Sequence, residues 1–195
     1  MAEQRRIPIP IAAGTVAGIV GWVVGYAITY VVALEALRAE LRASGLEVLL
    51  ETATDWQLAG WLFFDAHGVT LDAPTLALGG TLEGQGFLAA IGGSFVALYG
   101  LPVVTLVLAG GVVTWRHRKT YRRPTDAGIA GATTVVGYLP CVVAGLVAFT
   151  VDAGEIVLRP DLLVGVVLAG LAYPIAFGAL GGMLVAVASD RYDLV

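Results

Sequence analysis

The sequence has little charge and almost no cysteine. Of its 195 residues, 13% are charged, whereas roughly 25% of residues are charged in a soluble globular domain. The single cysteine, Cys141, cannot form a disulfide within the chain and supplies no CxxC pair for a metal or a redox reaction. These absences argue against a soluble fold, a disulfide framework and a thiolate metal site.

Long runs without charged residues fill most of the chain. Hydrophobic residues make up 58% of it, and the mean hydropathy is +0.86. A hydrocarbon core of about 30 Å needs roughly 20 helical residues, and four uncharged windows exceed that length: Ile7–Leu34, Leu88–Trp115, Ala127–Val151 and Leu162–Ser189. The sequence therefore predicts an all-α membrane protein, a four-transmembrane-helix bundle with an acidic extracellular segment that contains short amphipathic or interfacial helices.

A basic loop between the second and third windows sets the predicted orientation. Five of the eleven basic residues lie there: Arg116, Arg118, Lys119, Arg122 and Arg123. Loops rich in Lys and Arg stay on the cytoplasmic side. With Arg5, Arg6 and Arg191, eight basic residues fall on one side of the spans and three on the other. We expect a multi-pass protein of the cell membrane with both termini cytoplasmic.

The windows and the orientation divide the chain into eight segments. In order they are the N-terminus with span one (1–34), the acidic extracellular segment (35–87), span two (88–115), the basic cytoplasmic loop (116–126), span three (127–151), a short extracellular loop (152–161), span four (162–189) and the cytoplasmic C-terminus (190–195). The basic start before the first window is also typical of a secretory leader. The apolar stretch of such a leader is about 7–15 residues, so the longer window here favours an uncleaved helix.

The predicted extracellular segment is acidic and partly helical. Between Glu35 and Gly86 it carries eight acidic and two basic residues. Helical spacing of apolar residues continues past Leu34, Gly45 is expected to end that helix, and a second short helix is expected through Ala53. A short strand or hairpin is expected through Val69–Leu71 and Thr75–Leu78.

An aromatic stretch, Asp55–His67, lies inside this segment. It is too short and too charged to span, and its tryptophans favour a helix at the membrane interface. Asp65 and His67 are two residues apart, so their side chains diverge on a helix or a strand, which is weak spacing for a metal site. We interpret them as a hydrogen-bonded interfacial pair.

Small residues line one face of the first window. Gly14, Gly18, Gly21 and Gly25 recur at steps of four, three and four, and such faces let helix backbones approach closely in lipid. The sequence predicts a helix-packing face. Its partner is either another span of the same chain, which we favour, or a second copy.

Three windows each carry a proline near the middle, with a tyrosine one to three residues before it. The pairs are Tyr99 with Pro102, Tyr138 with Pro140, and Tyr173 with Pro174. A proline leaves the carbonyl four residues back without its donor, and in hydrocarbon that carbonyl needs another partner. The pairs are interpreted either as kinks that shape packing, which we favour, or as a mid-membrane cavity like those of transporters. None of the four windows contains an ionisable Asp, Glu, Lys, Arg or His, which argues against a coupled pump.

The order of features resembles a known family. A basic start, a first span with Gly21-Trp22 and Gly25-Tyr26, and Gly60–His67 in an acidic outer segment are similar to uncharacterised small multi-pass membrane proteins of halophilic archaea. One Lys against ten Arg, with an acidic excess, also resembles the composition of halophilic proteins. That family has no assigned activity, so the resemblance implies a topology and no catalytic residue.

The functional prediction is therefore coarse. The sequence shows no nucleophile with a base, no phosphate loop and no metal cluster, and we predict a protein that is not an enzyme and holds no cofactor. We expect a structural or scaffolding membrane component; the alternative is a small channel or facilitator with its cavity at the Tyr/Pro level. Expected partners are membrane lipid and a second copy or another membrane protein. The basic loop serves orientation, anionic lipid or both, and nucleic acid is not expected because the net charge is −4.

Overall fold

The computed structural model describes residues 9–43, 47–72, 97–118, 120–121, 123–152, 154 and 157–192. The fold is mostly helical. In this part of the chain, four helices are long and apolar enough to cross a membrane, and we name them spans 1 to 4: Ile11–Ala43, Ala97–Trp115, Pro124–Ala148 and Leu162–Ser189. The structure confirms a mostly helical fold with four helices that are long and apolar enough to span a membrane.

The spans are built from several helices, and short strands join them at one end. The helices are α1 (Ile11–Ala43), α2 (Val48–Thr52), α3 (Asp55–Asp65), α4 (Gly100–Trp115), α5 (Pro124–Ala132), α6 (Val135–Ala148), α7 (Leu162–Val164), a π-helical segment (Gly165–Ala172) and α8 (Tyr173–Tyr192). The strands are β1 (Leu71–Asp72), β2 (Val151–Asp152) and β3 (Val157–Pro160). They form one antiparallel sheet in the order β1-β3-β2.

Span 1 is one continuous helix that is longer than a bilayer core needs. Its 33 residues extend about 50 Å at 1.5 Å per residue, against a hydrocarbon thickness of about 30 Å. The helix therefore continues past Leu34 into its charged last turns, as the spacing of apolar residues predicted. Gly45, the predicted end of this helix, lies outside the described residues, as do positions 7 and 8.

The start of span 3 differs from the window predicted from the sequence. Span 3 begins at Pro124, earlier than predicted, because a proline is well tolerated in the first turn of a helix and Asp126 is favourable near its positive end. Span 2 is described from Ala97. The predicted stretch 88–96 lies outside the described residues.

Glycine contacts bring the spans together backbone to backbone. The helix α8 packs along α4 and α5, and α1 packs along α6 and α4. Gly110 of span 2 and Gly131 of span 3 both face the carbonyl of Gly178 in α8, where an added Cβ would overlap that carbonyl. Gly137 meets the carbonyl of Thr15 in span 1 in the same way. Such close approach supplies the dispersion contacts that hold helices together in lipid.

The aromatic helix α3 is buried, which differs from the interfacial position favoured by the sequence. Its residues from Leu58 to Asp65 are all buried, and a helix that is buried all round belongs to a core. Phe63 lies against Gly25 of span 1, and the ring of Phe149 sits over Gly60. The missing side chains of these glycines let α3 pack into the protein instead of lying on its surface.

Polar contacts hold α3 against span 1 on one side and against the end of span 3 on the other. The guanidinium of Arg38 donates two hydrogen bonds to the Asp55 carboxylate, one of them 3.0 Å long. The Trp61 indole donates to the Phe149 carbonyl at 2.7 Å, and the Tyr26 hydroxyl donates to the carbonyl of Trp56 at 2.9 Å. These bonds tie α3 to span 1 and to the end of span 3.

The strand predicted near Val69 exists, but its described pairing is not a local hairpin. Leu71 pairs with Pro160, and Val151 pairs with Leu158. The sheet therefore joins the segment after α3 to the connection between spans 3 and 4, which the sequence analysis described only as a loop. The proposed second strand, Thr75–Leu78, lies outside the described residues.

The three prolines lie in three different environments, which corrects the expectation that all are near a helix midpoint. Because α4 begins at Gly100, Pro102 is in its first turn, where an amide has no acceptor within the helix. Pro140 is inside α6. Pro174 follows the π-helical segment, and its carbonyl accepts a hydrogen bond from the Thr134 hydroxyl at 3.2 Å.

Candidate functional site

Five polar side chains meet where α3 ends between spans 3 and 4. We name them the polar cluster: Asp65, His67, Tyr99, Tyr138 and Tyr173. Asp65 is the last residue of α3, His67 is in the turn that follows, and each of spans 2, 3 and 4 contributes one tyrosine. The structure thus joins the Tyr/Pro level and the Asp65-His67 pair, which the sequence analysis treated as separate features.

His67 is held by two hydrogen bonds in a buried position. Its side chain is 1% exposed, with Nδ1 at 2.7 Å from the Phe63 carbonyl oxygen and Nε2 at 2.7 Å from the Tyr138 hydroxyl. A carbonyl oxygen only accepts, so Nδ1 carries the proton and donates to Phe63, while the Tyr138 hydroxyl donates to Nε2. Both ring nitrogens are satisfied in the neutral imidazole.

The same surroundings disfavour a charged imidazole. Burial lowers the pKa of His67 from 6.5 to about 4, although the hydrogen bond with the Phe63 carbonyl acts in the opposite direction. Aromatic rings enclose the imidazole: the Phe63 ring centroid is 4.7 Å away and that of Tyr173 is 5.2 Å away. His67 is therefore neutral at physiological pH.

Tyr138 lies at the centre of the packed spans. Its side chain has no exposed surface, and its backbone amide lies against Gly18 of span 1. The absence of a side chain at Gly18 lets span 3 approach closely enough for Tyr138 to reach His67.

Asp65 is the acidic member of the polar cluster. It is 2% exposed, and the Tyr99 hydroxyl donates a hydrogen bond to its carboxylate. Tyr99 itself is 37% exposed. The Tyr173 hydroxyl is near enough to those of Tyr99 and Tyr138 to interact electrostatically with both. The hydroxyls of the three tyrosines therefore lie near one another.

Aromatic rings cover the polar cluster on the span 1 side. Trp22 stacks on Tyr26 with ring centroids 5.6 Å apart, and both rings meet Phe63 edge-on. Phe149 stacks on Tyr26 at 5.4 Å. The Trp22 indole nitrogen is buried without a hydrogen-bond partner among the described residues. This layer separates the polar cluster from the outer surface of span 1.

The polar cluster contains groups that can gain or lose a proton. Its hydrogen bonds form two pairs, Tyr138 with His67 and Tyr99 with Asp65. The described residues contain no group of three or more His, Cys, Asp or Glu side chains that could hold a metal ion. The sequence predicted that Asp65 and His67 bond as a pair, whereas the structure gives each of them a tyrosine partner.

The glycines of the predicted helix-packing face are buried within the chain. Gly14 and Gly18 lie against Thr133 and Thr134 of span 3. Gly21 lies 3.5 Å from Ala109 of span 2, measured from the position that its Cβ would take, and Gly25 faces Phe63 and Thr105. This face therefore packs on spans 2 and 3 and on α3.

The basic loop is only partly described. Arg116 and Arg123 are exposed, and Arg118 is half-buried with its guanidinium 4.4 Å from the ring centroid of Trp115. The two other basic side chains of the loop, Lys119 and Arg122, lie outside the described residues. The predicted role of this loop in orientation stays a prediction.

Sequence reasoning missed the contact between α3 and the tyrosines. Asp65 and Tyr99 are far apart in the chain, and Tyr138 is 71 positions from His67. The local signals were present, since an acid and a histidine close an aromatic stretch and a tyrosine precedes each proline. No periodicity connects those signals, because the contact depends on how deeply α3 enters among the spans.

Four apolar spans packed through glycine, with ionisable groups buried where α3 ends, are compatible with a multi-pass membrane protein. The chain belongs to a family of unknown function, DUF7978, which matches residues 2–189. No curated protein and no solved structure matches it. The predicted membership of an uncharacterised family is thus confirmed, while an origin in halophilic archaea stays a prediction.

Proposed function

We propose that the protein is a multi-pass component of the cell membrane with both termini cytoplasmic and a structural, non-enzymatic role. It holds its spans in a fixed arrangement and presents the acidic segment after span 1 on the outer side. The orientation is supported by the uneven distribution of basic residues across the spans.

The observation that supports the structural role is that polar side chains between the spans form hydrogen bonds with other groups of the protein. Within the polar cluster, Tyr138 donates to His67 and Tyr99 donates to Asp65. Threonine hydroxyls also donate from one span to another, as Thr114 of span 2 does to the Ala127 carbonyl of span 3 at 3.3 Å. A transport path needs groups that exchange their bonds with a passing solute, whereas these bonds hold the helices to each other.

A small facilitator is the second candidate, and one observation favours it. Three tyrosines from three spans converge on a buried acid and a buried histidine, and Tyr99 is 37% exposed. Ionisable groups buried among spans are costly and are often functional. In this alternative Tyr99 is the accessible end of a site that includes His67.

A flux measurement separates the two proposals. We expect the purified full-length protein in lipid vesicles to pass protons and small neutral solutes no faster than protein-free vesicles do. The tested variant is Tyr138→Phe, which removes the hydroxyl bonded to His67. The matched control is Tyr26→Phe, which removes a hydroxyl that donates outside the polar cluster, to the Trp56 carbonyl.

Wild-type flux that is lost in Tyr138→Phe and kept in Tyr26→Phe would overturn the structural proposal in favour of the facilitator. With no flux in any protein, a structural role predicts that Tyr138→Phe lowers the thermal midpoint in detergent. Interhelical hydrogen bonds in membranes average only about 0.6 kcal/mol, so this change should be small and should leave a cellular phenotype unaltered.

A further inference from the structure

An apolar groove of about 370 Å³ lies between spans 2 and 4. Its floor includes Gly111 of span 2 and Gly181 of span 4, where the two helices approach closely: a Cβ added at Gly181 would overlap the Val107 carbonyl. Its walls include Val112 and Leu184, which are 61% and 52% exposed. The groove therefore faces the surface of the spans and takes an apolar occupant.

The groove ends at a tryptophan with an arginine over its ring. Trp115, the last residue of α4, lines the groove. The Arg118 guanidinium is 4.4 Å from the Trp115 ring centroid and donates to the Trp115 carbonyl at 3.2 Å. These two contacts fix the position of a group with five N–H donors. The neighbouring Arg116 is exposed and adds a second positive charge at the same end.

The dimensions of the groove match one leaflet of a bilayer. Its span 2 side runs from Val107 to Trp115, which is about 12 Å of helix. Half of a hydrocarbon core is about 15 Å, and tryptophan is enriched at the level of the headgroups. An occupant of the groove thus needs an apolar part of that length and an anionic group where Arg118 lies.

We infer that this groove is a binding site for an anionic phospholipid, with one acyl chain between spans 2 and 4 and the phosphate on the Arg118 guanidinium. A guanidinium donates two parallel hydrogen bonds to phosphate oxygens, and this two-pronged geometry strengthens and orients the contact. Basic pockets between spans recognise phosphate headgroups in this way. A second copy of the chain would need both an apolar ridge and an acidic group at matching positions, whereas one phospholipid carries both.

The test is native mass spectrometry of the full-length protein in a non-ionic detergent with added dioleoylphosphatidylglycerol. We expect one bound lipid and weaker retention of dioleoylphosphatidylcholine, whose headgroup has no net charge. Arg118→Gln should weaken phosphatidylglycerol binding about fivefold, the factor for one basic residue at a lipid surface. The matched control Arg123→Gln removes the same charge from an exposed position of the same loop, and binding should stay at the wild-type level.

A second pair of variants tests the acyl chain position. Leu184→Trp fills the groove and should displace the lipid, while Val147→Trp puts the same bulk on span 3 at a position that is 72% exposed and should not. Arg118→Lys, which keeps the charge but not the two-pronged geometry, should fall between wild type and Arg118→Gln. Melting curves without lipid show that each variant is folded.

Three results would overturn the site. Equal losses in Arg118→Gln and Arg123→Gln would mean diffuse attraction to the basic loop. Equal retention of the two lipids would mean that the net negative charge of the headgroup is not recognised, since both lipids carry a phosphate. A lipid-free dimer that Leu184→Trp dissociates and Val147→Trp does not would make a second copy the occupant. None of these results bears on the flux measurement, which tests the proposed structural role separately.

Discussion

His67 is neutral in the fold because burial disfavours a charged imidazole, and both nitrogens of the neutral ring have hydrogen-bond partners. Nδ1–H donates to the Phe63 carbonyl, and the Tyr138 hydroxyl donates to Nε2. A second proton on the ring would turn Nε2 into a donor facing the Tyr138 hydroxyl, in a site that is shielded from water. The contact therefore links the protonation of one residue to the packing of α3 on span 3.

The first prediction is a loss of stability in acid that depends on His67. In the unfolded chain the pKa of His67 is 6.5, and in the fold it is about 4. Between these values the unfolded chain binds more protons, so the free energy of unfolding falls as the pH falls from 6.5 to 4, by about 3 kcal/mol in total. Thermal midpoints in detergent between pH 7.5 and pH 4 measure this, with the pH range set by the two pKa values.

The control variant is His67→Gln. Its amide N–H replaces Nδ1–H and its amide oxygen replaces Nε2, so both hydrogen bonds are kept without a titrating group. The midpoint of the variant should fall less in acid than that of the wild type. A parallel fall in both proteins would assign the acid sensitivity to carboxylates, such as that of Asp65, and would contradict the prediction.

At the scale of the elements, the contacts between spans depend on where a glycine lies against backbone. An added Cβ at Gly137 would overlap the Thr15 carbonyl, whereas a Cβ at Gly21 would be 3.5 Å from the Ala109 side chain. Backbone in a helix cannot move aside as a side chain end can. The two glycines therefore differ in their tolerance of alanine although both are inside helices.

The second prediction compares Gly137→Ala with Gly21→Ala. We expect Gly137→Ala to destabilise the protein by about 1–3 kcal/mol, because spans 1 and 3 are forced apart. Gly21→Ala should be neutral or stabilising by up to about 1 kcal/mol, since alanine is the better helix former. Thermal unfolding in detergent measures both variants. Equal destabilisation would show that the close contact at Thr15 has no special cost.

The helix α3 is the element that gives the fold its polar centre. Gly60 and Gly25 admit the rings of Phe149 and Phe63, so α3 lies among the spans instead of on top of them. Its last turn and the turn that follows then carry Asp65 and His67 to tyrosines of spans 2 and 3. Among the described residues, the buried acid and the buried histidine thus come from a connection, since the four apolar windows contain no Asp, Glu, Lys, Arg or His.

At the scale of the whole molecule, the basic loop and the β-sheet lie at opposite ends of span 3. Thr120 precedes this span and Asp152 follows it, and both side chains are exposed. In the proposed orientation Thr120 is cytoplasmic and Asp152 is outside. The two positions therefore report the orientation of the spans.

The third prediction is an asymmetric labelling pattern. In a Cys141→Ala background, a membrane-impermeant maleimide added to intact cells should label Asp152→Cys and leave Thr120→Cys unlabelled until the cells are opened. The reason is the retention of basic loops on the cytoplasmic side. Labelling of Thr120→Cys alone in intact cells would reverse the proposed topology.

The sequence by itself determined the helical class and the number of helices that are long and apolar enough to span. These properties follow from composition and from uncharged length, which are local quantities: a window of about 20 apolar residues must be helical in a membrane because its backbone has no other hydrogen-bond partners. The continuation of α1 beyond Leu34 also follows from local sequence, since apolar residues at helical spacing continue there.

Only the tertiary structure decided the position of α3, the pairing of β1 with β3 and the convergence of the tyrosines on Asp65 and His67. An aromatic stretch with charged ends suits a membrane interface and a buried helix equally well. The choice between them is made by contacts with Gly25 and Phe149, which are distant in the chain. The position of Pro102 within its helix could not be predicted from the sequence either. Pro102 lies in a first turn because α4 begins at Gly100, and packing rather than local propensity sets where that helix begins.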